Sequence, residues 1–425
     1  MFFKSIFKKF MSLRKNPLLP IVAIVFIDLV GLGIVIPIFA PLLLDMHQTG
    51  ILPPSYGTEV RNIILGFLLA CYPLAQFFGA PILGGLSDRM GRKPIFLASL
   101  GGMFLGYLMT AVGIITASLP IMFLGRIVSG FTGGSLSVAY SSIADISDEN
   151  NKARNFGLVG MMFGLGFIIG PFLGGVLSDP SISNSFNYAT PFLFSAILTI
   201  ANILLVHFRF EETLKTRVNK KISLLTGFQN IHKAFHMENL RVIFIVIFLL
   251  AFGFSFFTQF FQVFLIDKFS FTQSNIGNLF AYMGLCIAIT QGFIVRPLSF
   301  KFSPVKILRF STLLLGLTFP FLLLPDKAIY LYLVIPFISI WNGLSMPNYN
   351  AIVSNLADEK SQGEILGINQ SIQSLAQALP PILAGFAATI SVNLPILIAG
   401  AMSILAWLTF VLFFEERKRT LFHEI

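Results

Sequence analysis

Charged residues are scarce in this chain of 425 residues, of which Asp, Glu, Lys and Arg make up only 11%. Soluble domains carry roughly 25% charged residues, so this composition excludes a soluble enzyme and a disordered chain. The two cysteines, Cys71 and Cys286, both lie in apolar stretches, which excludes a disulfide-bonded secreted domain. Hydrophobic residues make up 55%, with a mean hydropathy of +0.83. The composition therefore predicts a membrane protein that crosses the bilayer many times.

Twelve apolar segments are long enough to cross a bilayer core, which takes about 20 helical residues. The predicted fold class is an all-α polytopic membrane protein with twelve transmembrane helices. Its predicted divisions are a cytoplasmic segment (1–17), a first six-helix bundle (18–208), a cytoplasmic linker (209–240), a second six-helix bundle (241–414) and a cytoplasmic tail (415–425). The segments are 18–45, 60–86, 94–117, 119–146, 153–178, 187–208, 241–267, 273–298, 305–325, 328–356, 362–390 and 392–414.

Positive charges are distributed unevenly between the loops. Every Lys and Arg lies on one side of the predicted membrane except Arg61, Lys268 and Lys327 in the opposite loops and Arg126 within the fourth segment. The positive-inside rule then places both chain ends in the cytoplasm, with the chain in the inner membrane of the cell. This bias accounts for the net charge of +10 without a nucleic-acid partner. An amphipathic run at Ile222–Phe235 predicts a linker helix along the inner membrane surface.

The two groups of six segments repeat one another. Leu86-Ser87-Asp88-Arg89 is matched about half a chain length later by Leu298-Ser299-Phe300-Lys301, and Ala144-Asp145 is matched by Ala357-Asp358 at a similar offset. We therefore expect two pseudo-symmetric bundles related by an axis along the membrane normal. A site between two such bundles is typical of transporters. The alternative is coincidence between similar helical hairpins.

Asp28 is the only acid deep in a predicted segment, about ten residues or roughly 15 Å along the first helix. A charge near the bilayer midplane costs at least about 2.5–3.5 kcal/mol, which indicates a partner, a cavity or a bound proton. Arg126 is the only cation deep within a predicted segment, and it lies at a similar depth. The pair predicts an ion pair or a proton switch in which protonation of Asp28 releases Arg126. The alternatives are a neutral acid held by packing and a structural arginine.

A tight connection joins the second and third segments at Gly84-Gly85-Leu86-Ser87-Asp88-Arg89-Met90-Gly91-Arg92-Lys93. Glycine permits a tight turn, and the acid and the three cations could form a cytoplasmic latch. Ordinary charge in a cytoplasmic loop would explain Arg89, Arg92 and Lys93 but not an acid between two glycines. The predicted gate residues here are Gly84, Asp88, Arg89, Gly91 and Arg92.

Several polar side chains interrupt the apolar segments without carrying charge. Amides near mid-membrane fit a substrate cavity and fit hydrogen bonds between helices equally well. The segments contain no His, Asp or Cys cluster with metal-ligand spacing and no nucleophile–base pair, so we expect no metal, no cofactor and no enzymatic activity. The candidate substrate-binding residues are Gln76, Tyr140, Gln259, Gln262, Gln291, Asn342, Asn350 and Gln373.

Four stretches of the first half resemble motifs of one family. GGLSDRMGRK resembles the signature loop of the major facilitator superfamily. IDLVGLGIVIP, LGRIVSGFTGG and GLGFIIGPFLGG resemble further motifs of its twelve-helix drug:proton antiporter branch, with tetracycline-efflux-type proteins as the nearest likeness. The resemblance covers nearly the whole chain and is stronger in the first half.

The resemblance implies roles for individual residues. Asp28 would be the proton-coupling acid of the first helix, and Arg126 the arginine of the fourth. Asp88 and Arg92 would form the inward latch, with Asp145 as the partner of Arg92. The antiporter motif would consist of Gly166, Gly170, Pro171 and Gly174. Tetracycline exporters also carry membrane acids in the third and ninth helices, and this chain has none there.

Together these features predict a proton-coupled exporter that moves a small lipophilic or amphiphilic compound by alternating access. The compound could be a drug or a metabolite such as a siderophore. One buried acid implies one proton per cycle, and the family resemblance implies a monomer. The first alternative is an importer or facilitator of a small nutrient, distinguished by the direction of flux. The second is a non-transporting membrane sensor, in which an Asp28→Asn substitution would have no effect.

Overall fold

The computed structural model of the chain describes residues 18–44, 50–147, 152–214, 217, 223, 225–237, 240–356 and 362–415. These residues form helices and their connections, and no strand occurs among them. The helices are α1 (Leu18–Ile34 and Phe39–Leu44), α2 (Thr58–Met90), α3 (Arg92–Ile115), α4 (Leu119–Thr132 and Ser135–Ile146), α5 (Lys152–Ser178), α6 (Thr190–Arg209), α7 (Thr226–His236), α8 (Arg241–Phe269), α9 (Gln273–Ile289, with a π-turn at Thr290–Ile294 and a last turn at Val295–Lys301), α10 (Pro304–Thr318, extended by the 3-10 turn Phe319–Leu323), α11 (Leu331–Leu356), α12 (Gln362–Ala378 and Pro380–Ile390) and α13 (Leu394–Phe413).

Eleven helical segments in the described residues are long and apolar enough to cross a membrane. The remaining predicted segment, 362–390, the eleventh in chain order, is present as the two shorter helices of α12, which are interrupted at Leu379. The interruption follows from Pro380, because proline has no N–H to donate and its ring clashes with the carbonyl four residues earlier. The continuous helix expected over 362–390 is therefore replaced by a broken one.

The structure corrects the predicted connection between the second and third segments. α2 runs on as regular helix to Met90, so Gly84, Asp88 and Arg89 belong to its last turns instead of a loop. The turn is confined to Gly91, whose φ of +110° lies in a region that L side chains rarely adopt. α3 then begins directly at Arg92.

The helices form two bundles, α1–α6 and α8–α13, joined by the linker helix α7. In the first bundle α1 packs on α5 and α6, while α3 packs on α4 and α6; in the second, α8 and α10 both pack on α13. The bundles meet along two seams, α5 against α9 and α2 against α12. α7 contacts α2 from the first bundle and α8 and α12 from the second.

Both seams contain pairs of glycines at the helix ends that the charge distribution assigns to the outer side. A Cβ atom built on Gly277 of α9 would lie 3.0 Å from Gly175 Cα of α5. A Cβ atom built on Gly66 of α2 would lie 3.2 Å from Gly385 Cα of α12. Gly66 and Gly277, like Gly175 and Gly385, stand about half a chain length apart. The two seams are therefore pseudo-symmetric and hold together the helix ends that the charge distribution assigns to the outer side.

Candidate proton and latch sites

Asp28 lies buried in α1 and accepts hydrogen bonds on both carboxylate oxygens. Ser135 Oγ of α4 donates to Asp28 Oδ2 at 2.7 Å, and Asn202 Nδ2 of α6 donates to Asp28 Oδ1 at 2.8 Å. Asn202 Nδ2 also donates to the Ile24 carbonyl oxygen at 3.0 Å. Hydrogen bonds to the charged form stabilise an ionised carboxylate. Asp28 thus links α1 to both α4 and α6 through hydrogen bonds.

A break in α4 places Ser135 beside Asp28. The helix is interrupted at Gly133 and Gly134 and restarts at Ser135. A Cβ atom on Gly133 would lie 2.4 Å from the Tyr72 hydroxyl, and a Cβ atom on Gly134 would lie 2.7 Å from Leu83 Cδ1. Only glycine therefore allows α4 to approach α2 this closely, and the restarted helix presents Ser135 to α1.

Arg126 does not pair with Asp28, so the predicted ion pair is wrong for this conformation. The ion pairs found among the described residues are Arg92–Asp88 and Arg92–Asp145. The Arg126 guanidinium carbon lies 4.7 Å from the centroid of the Tyr72 ring and 5.3 Å from that of Phe39. Such cation–π contacts contribute about 0.5–2 kcal/mol, and Arg126 Nε is buried without a hydrogen-bond partner. The arginine is therefore held between aromatic rings and forms no ion pair with the acid.

The predicted contact between Arg92 and Asp145 is present. Arg92 Nε donates to Asp145 Oδ2 at 2.9 Å, and Arg92 Nη1 donates to Asp88 Oδ1 at 2.6 Å and to Ser87 Oγ at 2.6 Å. We call Asp88, Arg92 and Asp145 the latch. It joins the end of α2, the start of α3 and the end of α4 within one bundle.

The remaining predicted gate residues are Gly84, Arg89 and Gly91, which are not members of the latch. Arg89 is exposed and is not part of the ion pairs found in the described residues. A Cβ atom on Gly84 would meet Ser137 Oγ at 3.6 Å, an ordinary contact distance. Gly91 has the positive φ that makes the turn, and a Cβ atom there would lie 2.6 Å from Glu212 Oε2.

Glu212, in the linker just after α6, completes the latch region and was not predicted from the sequence. Its carboxylate accepts backbone N–H groups at the first turn of α3, from Arg92 at 2.9 Å and from Lys93 at 3.1 Å. An acid at a helix N-terminus satisfies free N–H groups and complements the helix dipole. Partial burial raises the pKa of Glu212, but backbone N–H donors from Leu214, Arg92, Lys93 and Thr213 outweigh it and hold the pKa below its ordinary value.

The predicted antiporter motif forms the contact between α1 and α5. A Cβ atom on Gly170 would lie 2.6 Å from Gly33 Cα, and a Cβ atom on Gly174 would lie 2.0 Å from the Ile34 carbonyl oxygen. A Cβ atom on Gly166 would lie 2.7 Å from Leu29 Cβ, directly beside Asp28 in the chain. The adjacent face of α5 packs on α9, where the Pro171 carbonyl oxygen would lie 2.4 Å from a Cβ atom on Gly277. α5 therefore links the helix of Asp28 to the second bundle.

The candidate substrate-binding residues lie in both bundles, and four of them take part in the following hydrogen bonds within the protein. Gln76 Nε2 donates to the Gly133 carbonyl oxygen at 2.9 Å, beside the break in α4. Gln262 Nε2 donates to the Gln259 carbonyl oxygen at 3.1 Å, and Asn350 Oδ1 accepts from Asn369 Nδ2 at 3.3 Å. The remaining candidates, which are partly exposed, are Tyr140, Gln291, Asn342 and Gln373. A shared pocket for all eight stays a prediction.

No group of three or more His, Cys, Asp or Glu side chains could hold a metal ion within the part of the chain that the structure describes. The polar chemistry available at Asp28 is therefore that of one carboxylate, one hydroxyl and one amide. Of these groups the carboxylate can bind and release a proton, while the hydroxyl and the amide form hydrogen bonds to it.

A family model for the Major Facilitator Superfamily matches residues 18–381, and again residues 243–423. The chain belongs to the major facilitator superfamily. The class C tetracycline resistance protein of Escherichia coli is 31% identical over 369 residues, covering 87% of this chain and 88% of that protein. Multidrug resistance protein 2 of Bacillus subtilis is 26% identical over 418 residues, covering 97% of this chain and 98% of that protein.

Solved structures agree with the facilitator fold. The human organic anion transporter MFSD10 superposes with a TM-score of 0.72 at 20% identity, covering 93% of this chain and 99% of that one. A D-xylose–proton symporter superposes with a TM-score of 0.75 at 16% identity, covering 94% and 98%. The chain is thus a multi-pass membrane protein of this family, with the family's two-bundle architecture.

Proposed function

We propose that this facilitator exports a small lipophilic or amphiphilic compound in exchange for protons, and that Asp28 carries the proton. It would act as a monomer in the inner membrane, with both chain ends in the cytoplasm. The observation that carries the proposal is the buried carboxylate of Asp28, which accepts hydrogen bonds from two other helices in a chain related to tetracycline and multidrug resistance proteins.

The two partners of Asp28 respond differently to a proton. An ionised carboxylate only accepts hydrogen bonds, whereas a protonated one has an O–H to donate. The Ser135 hydroxyl can accept as well as donate, so it can remain bonded to either form. Asn202 Nδ2 can only donate, so its bond to the carboxylate favours the ionised form. Protonation would therefore change the connection between α1 and α6 more than that between α1 and α4.

The close contact between α1 and α5 provides a route from Asp28 to the second bundle. α5 packs on Leu29 and Gly33 of α1 through Gly166 and Gly170, and on Gly277 of α9 through its adjacent face. Closely packed backbones transmit small shifts because they cannot deform locally. A change at Asp28 would therefore bias the seam between the bundles, which is the element that alternating access has to open and close.

Antiport requires that the proton and the compound bind in competition. A compound that presents a cation or a hydrogen-bond donor toward Asp28 would bind best to the ionised carboxylate and leave when the proton returns. This favours a neutral or monocationic substrate. Uptake of a nutrient is the alternative on the same fold, because the structural relatives include a D-xylose–proton symporter. The relatives with higher sequence identity are resistance proteins, and they favour export.

Everted membrane vesicles with an imposed proton gradient and a fluorescent pH reporter test the proposal. Antibiotics, dyes, siderophores and amino acids would be added one at a time to wild-type, Asp28→Asn and Asp326→Asn vesicles. Asp326 is an exposed acid of the outer connection between α10 and α11 and serves as the matched control. We expect at least one compound to dissipate the gradient in the wild type and in Asp326→Asn but not in Asp28→Asn. Full gradient-driven transport by Asp28→Asn would contradict proton coupling at this residue.

A further inference from the structure

Four buried polar atoms without a hydrogen-bond partner belong to Arg126 and to side chains close to Asp28 or Arg126. They belong to helices α2, α3, α4 and α6, and their side chains are at least nine-tenths buried, with exposures of 7% for Tyr72, 2% for Tyr107, 7% for Arg126 and 0% for Asn202. The atoms are Tyr72 Oη, Tyr107 Oη, Arg126 Nε and Asn202 Oδ1. Folded proteins leave few such atoms unpaired, so this concentration around one carboxylate calls for a ligand.

The four side chains are connected through their contacts with Asp28, with Arg126 and with neighbouring glycines. Asn202 is bonded to Asp28 through its amide nitrogen. Tyr107 Oη lies 3.4 Å from the position of a Cβ atom on Gly31, one helical turn from Asp28. The Tyr72 ring lies against the Arg126 guanidinium, and its hydroxyl lies against Gly133, two residues before Ser135. Tyr107 is within electrostatic range of Asp28, Tyr72 and Arg126.

We propose that these atoms line a closed polar chamber that holds ordered water between Asp28 and Arg126, with Tyr107 as the positioning residue that anchors the water beside the carboxylate. The inference rests on the proposed role of Asp28 as the proton carrier and names the water that would exchange the proton with it.

The chemistry of the four atoms fits water. Arg126 Nε can only donate and Asn202 Oδ1 can only accept, while the tyrosine hydroxyls do both. A buried water molecule needs two to four polar partners and does both as well.

Few other groups can respond to a proton at this place. The titratable side chains near Asp28 are Tyr72 from α2 and Tyr107 from α3, and the charged Arg126 of α4 lies on the Tyr72 ring. Asp28 is the only titratable residue of α1, and the facing stretches 163–175 of α5 and 191–206 of α6 contain none. A pH-induced signal from this chamber therefore reports Asp28 and its water.

Difference infrared spectroscopy on the purified full-length protein in lipid vesicles tests the chamber without any substrate. A pH jump protonates Asp28, and its carboxyl signal is identified by its loss in Asp28→Asn. We expect bands of hydrogen-bonded internal water to change together with that signal in the wild type. Tyr107→Phe removes only the hydroxyl, so these water bands should be lost. Tyr282→Phe is the matched control, because its hydroxyl donates to the Tyr332 carbonyl oxygen at 3.2 Å and lies outside the chamber.

A second variant covers the case in which Tyr107→Phe fails to fold. Gly31→Ala leaves the tyrosine intact and places a methyl group at ordinary contact distance from its hydroxyl, filling the space beside it. We expect the same loss of water bands. In the vesicle assay we expect proton exchange about tenfold slower, with an unchanged KM for the exported compound. A tenfold change corresponds to the loss of one hydrogen bond of about 1.4 kcal/mol.

The outcomes distinguish failure of the proposed chamber from failure of the proposed function. An Asp28 signal without accompanying water bands, or water bands that persist in both variants, would overturn the chamber and leave proton coupling standing. Water bands that depend on Tyr107 in a protein that moves no protons against a substrate would support the chamber and contradict the proposed function. The absence of any Asp28 signal would overturn both.

Discussion

Gly277 of α9 and Pro171 of α5 touch through the backbone, since a Cβ atom on Gly277 would lie 2.4 Å from the Pro171 carbonyl oxygen. The pseudo-symmetric seam repeats the arrangement, because a Cβ atom on Gly66 of α2 would lie 2.4 Å from the Pro381 carbonyl oxygen of α12. Neither oxygen belongs to a side chain that could rotate away. The closed outer side of the molecule therefore depends on glycine at both positions.

We predict that Gly277→Val or Gly66→Val opens the outer side. Overpacking of this kind costs about 1–3 kcal/mol, which shifts a two-state equilibrium by roughly 5- to 150-fold. Spin labels on Tyr56→Cys and Lys327→Cys, in a background without Cys71 and Cys286, would report the shift as a longer distance between the bundles.

Gly164→Ala on α5 is the control for this prediction, because its added Cβ atom would meet only Ala288 Cβ, at 3.9 Å. It should leave the distance distribution unchanged. A wild-type distribution in both Gly277→Val and Gly66→Val would show that these seams do not hold the outer side closed.

We predict that Asn202→Leu impairs proton exchange while leaving the fold intact. The substitution removes a donor from the Asp28 carboxylate, and a hydrogen bond to a charged group contributes about 1.5–3 kcal/mol. Gradient-driven proton movement in vesicles should fall by roughly ten- to a hundredfold. Thr199→Val lies one turn earlier on α6 and removes a hydroxyl that bonds only within its own helix, to the Ser195 carbonyl oxygen. Equal rates in the two variants would contradict a specific role for Asn202.

Some residues of the candidate site could be predicted from the sequence, and others could not. The solitary acid Asp28 and the contact between Arg92 and Asp145 could be predicted, the first from the energetic cost of membrane charge and the second from a local motif. Ser135 and Asn202 could not, because small uncharged residues in apolar helices carry no signal about which way they face. Glu212 was missed because its partners at the start of α3 are far away in the chain.

The predicted ion pair failed for a related reason. Counting residues along two helices fixes the depth of Asp28 and Arg126 in the membrane but leaves the rotation of each helix undetermined. The structure turns Arg126 toward the rings of Tyr72 and Phe39. That rotation depends on how closely α4 approaches α2, which is set by Gly130 and Gly133 against Tyr72.

We predict that the Glu212 cap makes the latch region sensitive to acid. The pKa of Glu212 is lower in the folded protein than its ordinary value, so its stabilisation is complete above about pH 4.3, the ordinary value for glutamate. The stabilisation is lost as the pH falls through the lowered pKa. Limited proteolysis of the linker should therefore be faster in Glu212→Gln than in the wild type at neutral pH, and the difference should shrink in acid. Glu211→Gln, an exposed neighbour, should behave as wild type; equal protection of Glu212→Gln at neutral pH would contradict the cap.

The linker helix α7 spans the seam between α2 and α12, and we predict that transport requires it to separate from one of them. Its Phe228 ring packs edge-on against Phe77 of α2 with centroids 5.1 Å apart. Its Asn230 Nδ2 donates to Ser371 Oγ of α12 at 3.0 Å. If the bundles rock against each other, a helix bonded to both cannot keep both contacts.

Cysteines at positions 230 and 371, in a background without Cys71 and Cys286, would test this prediction. We expect a crosslink between them to abolish transport and reduction to restore it, because the bond fixes α7 to the second bundle. Each single-cysteine variant treated in the same way is the control and should transport normally throughout. Undiminished transport by the fully crosslinked protein would mean that α7 moves as one body with α12. The contact with Phe77 would then be the one that breaks, and a crosslink between positions 228 and 77 should block transport in its place.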